Sequence, residues 1–286
     1  MISGTLDDAL RRELIYEGTL LVFKDVEPMF RLCELTDGLI RDALDTSDPV
    51  WAQFELAPED YAERIAALQK RYSKDKAAQS LFREALEYVG VEIGRTCWDL
   101  LRLRAFPHSE ELAENGLGRL GVHRDTWGSN VYAHTNWWAP IYPITAGRTI
   151  AFYPAYWSRP IGNTSESWSL EKVRAARRAG DSSVPLVPEL VEPVDAASEL
   201  RVVIEPGDLL CFSGAHLHVG VPNSTGVARF SVEIRTVDTE DLAAGTGAPN
   251  VDGAAPEEHP EWFSSIEDEE PLPAAGEKIF RGRRVE

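Results

Sequence analysis

The chain has 286 residues, 43% of them hydrophobic, which suits a globular protein with a sizeable core, and a formal net charge of −18. That balance argues against a nucleic-acid or anionic-membrane surface, and no apolar run approaches the roughly 18 residues of a membrane span. Three scattered cysteines without a CxxC pair argue against a disulfide framework or a thiolate zinc site. With an N-terminus that lacks a basic and apolar leader, they fit a reducing cytoplasm.

Residues 1–95 read as mostly helical. EGTLLVFKDV, residues 17–26, is a short apolar and β-branched run that predicts a strand. Met29, Leu32, Leu35 and Leu39 then recur at helical spacing behind Glu27-Pro28, a suitable helix start. Residues 60–71 and 76–88 predict two more amphipathic helices whose apolar faces pack the core. From residue 96 the texture changes to short aromatic and β-branched segments cut by Gly, Pro and Asn. Strands are expected at 101–105, 120–125, 131–144, 149–153, 200–205, 208–212 and 228–237, with one helix at 169–178. So many short strands predict a mainly β fold with added helices: a barrel or jelly-roll core at 96–240 with the helical third packed outside. Beyond residue 240 the chain reads as an acidic tail, twelve acidic against four basic residues from Glu240 onward. Its Ala/Gly/Pro-rich start, 242–256, predicts a mobile linker, and Trp262, Phe263 and Ile266 are candidates to dock on the body.

The chemistry is concentrated in two places. GVHRDTW holds His123 and Asp125, and on a strand residues two apart face the same way, so imidazole and carboxylate would converge. With one further histidine and open positions, that set is the facial triad of non-haem Fe(II) oxygenases, although His-x-Asp alone is weak. GAHLHVGVPNSTGVARFS, residues 214–231, supplies the other part. Its two histidines, His216 and His218, share strand parity, so direction does not choose between them. Arg229 and Ser231 also share a face. An arginine pointing into a barrel is costly unless paired. A dicarboxylate cosubstrate would pair it bidentately, with the serine hydroxyl adding a bond. The competing reading is an edge arginine in solvent.

Several other residues are candidates for substrate contact or for supporting the ligands. His134 shares a face with Asn136, and Arg104 shares one with Arg102. Trp127, Trp138 and Tyr153 are aromatic residues that could line a pocket or simply pack. His216, if not a ligand, could hold another group by a hydrogen bond.

The order His123-x-Asp125, His218, Arg229-x-Ser231 resembles the Fe(II)/2-oxoglutarate-dependent dioxygenases, in particular the phytanoyl-CoA dioxygenase-like branch. HRDTW, NWWAPIYPI and EPGDLLCFSGAHLHVGVPNSTGVARFSVEIR carry the resemblance, which spans about residues 101–237. It implies a double-stranded β-helix, with His123, Asp125 and His218 as iron ligands. Val219–Asn223 after His218, ending in Pro-Asn, favours that histidine over His216. Arg229 and Ser231 would bind 2-oxoglutarate, and Asn136 is placed where such enzymes carry a polar cosubstrate contact. The expected cofactors are Fe(II), 2-oxoglutarate and O2. The expected partner is a small-molecule substrate, hydroxylated or otherwise oxidised at a C–H bond, with succinate and CO2 as coproducts. Halogenases of this kind lack the carboxylate ligand, so Asp125 points away from halogenation. The alternatives are a cupin-like metalloenzyme that does not use 2-oxoglutarate and a non-catalytic binding protein of the same fold.

Overall fold

Two mostly antiparallel sheets and an outer shell of helices organise the chain. The computed structural model describes residues 1–108, 120–181 and 183–273. The N-terminal shell contains α1 (Asp8–Tyr16), α2 (Glu27–Leu44), α3 (Pro58–Tyr72) and α4 (Lys76–Tyr88). Local chemistry sets their ends. Asp7 accepts from the Leu10 amide ahead of α1, and Asp75 accepts from the Ala77 and Ala78 amides ahead of α4. Prolines occupy the first turns of α2 and α3, where an amide hydrogen would have no partner anyway. The expected helices at 60–71 and 76–88 are therefore present within two residues.

The large sheet has eight strands: β1 (Ile2–Ser3), β2 (Leu21–Lys24), β3 (Thr96–Trp98), β4 (Arg102–Phe106), β5 (Thr135–Pro140), β8 (Leu209–Ser213), β10 (Arg229–Asp238) and β11 (Ser264–Ser265). The small sheet has three: β6 (Ile150–Phe152), β7 (Leu200–Val202) and β9 (His218–Gly220). Ten-residue β10 is the spine, with β5 along one edge and β4 then β3 along the other. The helix α5 (Leu170–Arg178) falls where the sequence places it.

Strand alternation gives the large sheet two different faces. Leu103, Ala105, Trp137, Ala139, Phe230, Val232 and Ile234 join Met29, Leu32, Ile65 and Phe82 of the helices in one buried core. The opposite face presents Trp138, Leu210 and Phe212, which pack on Ile150 and Phe152 of the small sheet. The polar residues of β10 (Arg229, Ser231 and Glu233) are on that inner face too. The fold is thus a mixed α/β arrangement built around sheet, with the helical third outside it. Among the described residues no helix is long and apolar enough to cross a membrane.

Three expectations need correction. The strand expected at 17–26 is confined to Leu21–Lys24 because α1 runs on to Tyr16 and Gly18 turns the chain at φ +93, where a Cβ would sit 2.8 Å from the Trp157 indole. The strand expected at 120–125 is absent: only His123 makes a single bridge, to His218, and Asp125 adopts right-handed helical angles ahead of the helical turn Thr126–Ser129. The segment 242–256 is no mobile linker. It begins in the last turn of α6 (Thr239–Ala244), buries Leu242 and Ala248, and places the Asp252 side chain in the interior. Phe263 and Ile266 are buried beyond it. Residues 274–286 of the acidic tail lie outside the described residues.

Candidate metal centre

His123 and His218 are brought together by backbone before side chains matter. Each amide donates to the other's carbonyl, His123 N to His218 O at 3.0 Å and His218 N to His123 O at 2.9 Å. Their rings lie side by side with centroids 4.6 Å apart. In each ring Nδ1 donates to a nearby carbonyl, His123 to Gly121 O at 2.8 Å and His218 to His216 O at 2.9 Å. That fixes the tautomer and leaves each Nε2 with a free lone pair. Both Nε2 atoms face Asp125, at 3.5 Å from Oδ1 for His123 and 3.8 Å from Oδ2 for His218. The ligating atoms of all three residues lie within 4.8 Å of one another. Two histidine nitrogens and one carboxylate so arranged are a donor set for a divalent transition metal with positions left open.

The carboxylate is held as an anion. Burial pushes the Asp125 carboxyl up, but the neighbouring His123 and His218 outweigh burial and hold it well below the usual carboxylate range. Burial, with the neighbouring His123, pushes His218 down to about 4, so that ring is neutral at pH 7. Asn136 donates from Nδ2 to Asp125 Oδ2 at 2.6 Å, and His134 Nε2 donates to Asn136 Oδ1 at 2.9 Å. Asn136 and His134 therefore orient the carboxylate. One of the two Asn136 amide protons is taken up there.

Convergence does not arise from strand parity. His123 sits at the bridge, and the chain turns helical at Asp125, whose carbonyl accepts the Gly128 and Ser129 amides. The parity of His216 with His218 fails for a similar reason, since residues 214–217 form a turn after β8. His216 faces away from the cluster. Its Nδ1 lies 3.0 Å from Ser213 O, its Nε2 lies 3.1 Å from Gly18 O, and its ring rests on Trp157 with centroids 4.4 Å apart. Its ring ties the turn to the end of α1, while its backbone carbonyl accepts from His218 Nδ1.

Arg229 and Ser231 form the second part of the site. Arg229 is 3% exposed, and its guanidinium lies over the Phe106 ring at 3.9 Å and near Trp138 at 5.9 Å. Nη1 donates to Thr149 O at 2.5 Å, while Nε has no partner. Among the described residues no carboxylate lies within ion-pair distance of it. Burial pushes its pKa down to about 10. Ser231 is fully buried and its Oγ also has no partner. The guanidinium is adjacent to Gly220, where a Cβ would come 3.4 Å from Nη2. Gly220 follows His218 by two residues on β9, about 7 Å along a strand. An unpaired cation and an unpaired hydroxyl are therefore buried one strand step from the metal-ligand cluster.

The other candidates divide. Trp138 lines the inner face close to Arg229. Arg104 pairs with Glu233 at 2.6 Å, both partly exposed on the inner face. Glu233 was missed in the sequence, although it continues the parity of Arg229 and Ser231. Trp127 is fully buried and donates from Nε1 to Asp252 at 2.7 Å, so it braces the turn that carries His123 and Asp125. Tyr153 is directed to Glu199, 3.0 Å from its hydroxyl.

No protein-family model matches the chain, and no curated protein matches it. Several solved structures resemble it. EvdO2 from Micromonospora carbonacea var. aurantiaca is 12% identical, over 83% of this chain and 93% of that one, with a TM-score of 0.45. The non-haem monooxygenase ThoJ in its apo form is 14% identical over 80% and 77%, with a TM-score of 0.43. SnoN, described as a non-haem alpha-ketoglutarate-dependent epimerase from nogalamycin biosynthesis, is 12% identical over 81% and 85%, with a TM-score of 0.41. At identities and TM-scores this low, function has to be read from the residues of the site.

Proposed function

We propose that the chain is a non-haem Fe(II)- and 2-oxoglutarate-dependent oxygenase that oxidises, by hydroxylation in the simplest case, a C–H bond of a small molecule. The observation that carries this reading is the buried, unpaired Arg229 guanidinium, with the unpaired Ser231 hydroxyl, beside a His-Asp-His cluster. A metal-binding barrel with no acidic cosubstrate has no use for such a cation, which costs stability unless something anionic arrives. A dicarboxylate supplies that anion at one end and can reach a metal with the other. On this reading the two sheets are a double-stranded β-helix of the phytanoyl-CoA dioxygenase-like kind, and the protein works in the cytoplasm.

His123, Asp125 and His218 would hold the iron, and His134 and Asn136 would keep the Asp125 carboxylate in place. Bound iron with 2-oxoglutarate supplies the oxidising chemistry, O2 being consumed and succinate and CO2 released. Arg229 and Ser231 would take the far carboxylate of the cosubstrate, Arg229 through its free Nε and remaining guanidinium protons. Phe106 and Trp138 keep water from the guanidinium and so strengthen that ion pair. Arg104 and Glu233, partly exposed on the same face, would meet the polar part of the substrate.

Anaerobic protein loaded with Fe(II) should give a metal-to-ligand absorption band on adding 2-oxoglutarate, and succinate once oxygen is admitted. Metal binding without band or succinate would support a cupin-like enzyme that does not use 2-oxoglutarate. Failure to bind metal would leave a binding protein of the same fold.

A further inference from the structure

Arg124 stands between two of the ligands, His123 and Asp125, yet its side chain points away from them into the interior and is 3% exposed. Its guanidinium donates to Ala215 O and to Tyr156 O, the latter at 2.6 Å. Ala215 lies in the turn that delivers His218. Arg124 therefore joins the turn carrying the first two ligands to the turn carrying the third. Its charge is met by Asp252 at 3.1 Å.

Asp252 does more than neutralise Arg124. Its Oδ1 accepts from Trp127 Nε1 at 2.7 Å, and its Oδ2 accepts from the Ile161 amide at 3.2 Å. Arg124 and Trp127 flank Asp125 on its two sides, so one carboxylate grips the metal-binding turn before and after its own carboxylate ligand. Asp252 is itself fixed. Asn163 Nδ2 donates to its carbonyl at 2.9 Å, and Asn250 closes a tight turn around it through both the amide and the carbonyl of Gly253, at 2.8 and 3.0 Å.

We infer that Asp252 is a positioning residue for the metal centre: acting through Arg124 and Trp127, it sets the relative placement of His123, Asp125 and His218. The C-terminal segment is then a working part of the site. This rests on the metal-centre reading above. Partners one step removed from metal ligands typically change metal affinity by about 10–100-fold when lost.

The test uses the full chain with metal alone as the probe. Fe(II) affinity is measured anaerobically by equilibrium dialysis, and Co(II) is added separately to read ligand geometry from its visible d–d bands. Asp252→Asn should raise the Fe(II) Kd by about 10–100-fold and shift the Co(II) bands. The control is Asp208→Asn, which breaks the buried pair of Asp208 with Lys24 away from the site. It should lose stability and keep wild-type affinity and bands. Asp252→Glu retains the charge and displaces the carboxylate by one methylene. It decides the matter should Asp252→Asn fail to fold, since a raised Kd and shifted bands support the inference. Wild-type Kd and bands in a folded Asp252 variant overturn it while leaving the metal centre standing. Absence of metal binding in the wild-type protein overturns both.

Discussion

Replacing Arg229 by methionine should separate two effects that usually run together. In the ligand-free protein the guanidinium is buried against Phe106 with one carbonyl partner and no counter-charge. Burial pushes its pKa down to about 10 from its usual value, a disfavouring of the cation worth about 3 kcal/mol in order of magnitude. The cation–π contact and the bond to Thr149 return about 1–2 kcal/mol of that. Thr149 O keeps the Val221 amide as a donor, so the variant strands no carbonyl. Ligand-free Arg229→Met should thus be at least as stable as the wild type. The response to 2-oxoglutarate should change in the opposite sense. At a hundred times its Kd the cosubstrate stabilises the wild type by about 2.7 kcal/mol, or roughly 4–5 °C in a chain of this size. Losing one partner of a buried charge pair costs about 2–5 kcal/mol, so Kd rises at least ~30-fold. At the same ligand concentration the stabilisation falls below about 0.9 kcal/mol, under ~1.5 °C. Differential scanning fluorimetry with and without 2-oxoglutarate, on protein loaded with a redox-inert divalent metal, measures both. An undiminished thermal shift in Arg229→Met would refute the assignment of this arginine to the cosubstrate.

Asp125→Ala and His218→Ala should each abolish stoichiometric metal binding by dialysis. His216→Ala should retain it and lose about 1–3 kcal/mol of stability in urea, because its ring packs on Trp157 and its one N–H bonds a carbonyl of Ser213 or Gly18. Retained binding in His218→Ala with loss in His216→Ala would reverse the ligand assignment. Asn136→Leu leaves Asp125 Oδ2 without its 2.6 Å donor and should weaken metal affinity by about 10–100-fold. The metal-free protein should also lose stability on mild acidification. Burial pushes His216 and His134 down to about 4, below the roughly 6.5 of an unfolded histidine. Between those values the unfolded chain binds more protons, so stability is full above about pH 6.5 and is lost as pH falls toward 4. The loss approaches ~3 kcal/mol per histidine. Urea titrations across that window should show the slope, and His216→Gln should remove its share. An unchanged slope in that variant would place the acid sensitivity elsewhere.

How far the sequence could be read depended on which kind of backbone carries each residue. The helices α2 to α4 announce themselves by apolar spacing and by their caps. Strand β10 does so by alternation: Phe230, Val232 and Ile234 enter the core, while Arg229, Ser231 and Glu233 line the site. Parity along one strand is a reliable geometric rule, so Arg229 and Ser231 could be paired from sequence and Glu233 could have been added by the same rule. The metal ligands are different. His123 and Asp125 meet because the chain leaves an extended conformation between them, and His218 outranks His216 because the latter lies in a turn. Neither turn carries a periodic signal.

The segment 242–256 shows the deeper ambiguity. Ala, Gly and Pro in a run are what a mobile linker uses, and they are also what close backbone packing requires. A Cβ at Gly247 would lie 2.5 Å from the Tyr132 carbonyl carbon, and the Ala248 amide donates to Tyr132 O at 3.0 Å. The small residues let this segment lie flat on the strand entry before β5, and that brings Asn250 and Asp252 to the interior. The isolated polar residues among small ones were the available clue, because a linker gains nothing from burying a carboxylate. The two ends of the site therefore have different mechanical support. The proposed cosubstrate end is built on β10 and β4, whose hydrogen-bonded ladders hold Arg229 and Phe106 in register. The metal end is built on turns, which have no ladder of their own, and Asp252 supplies through Arg124 and Trp127 the restraint that a strand would otherwise give.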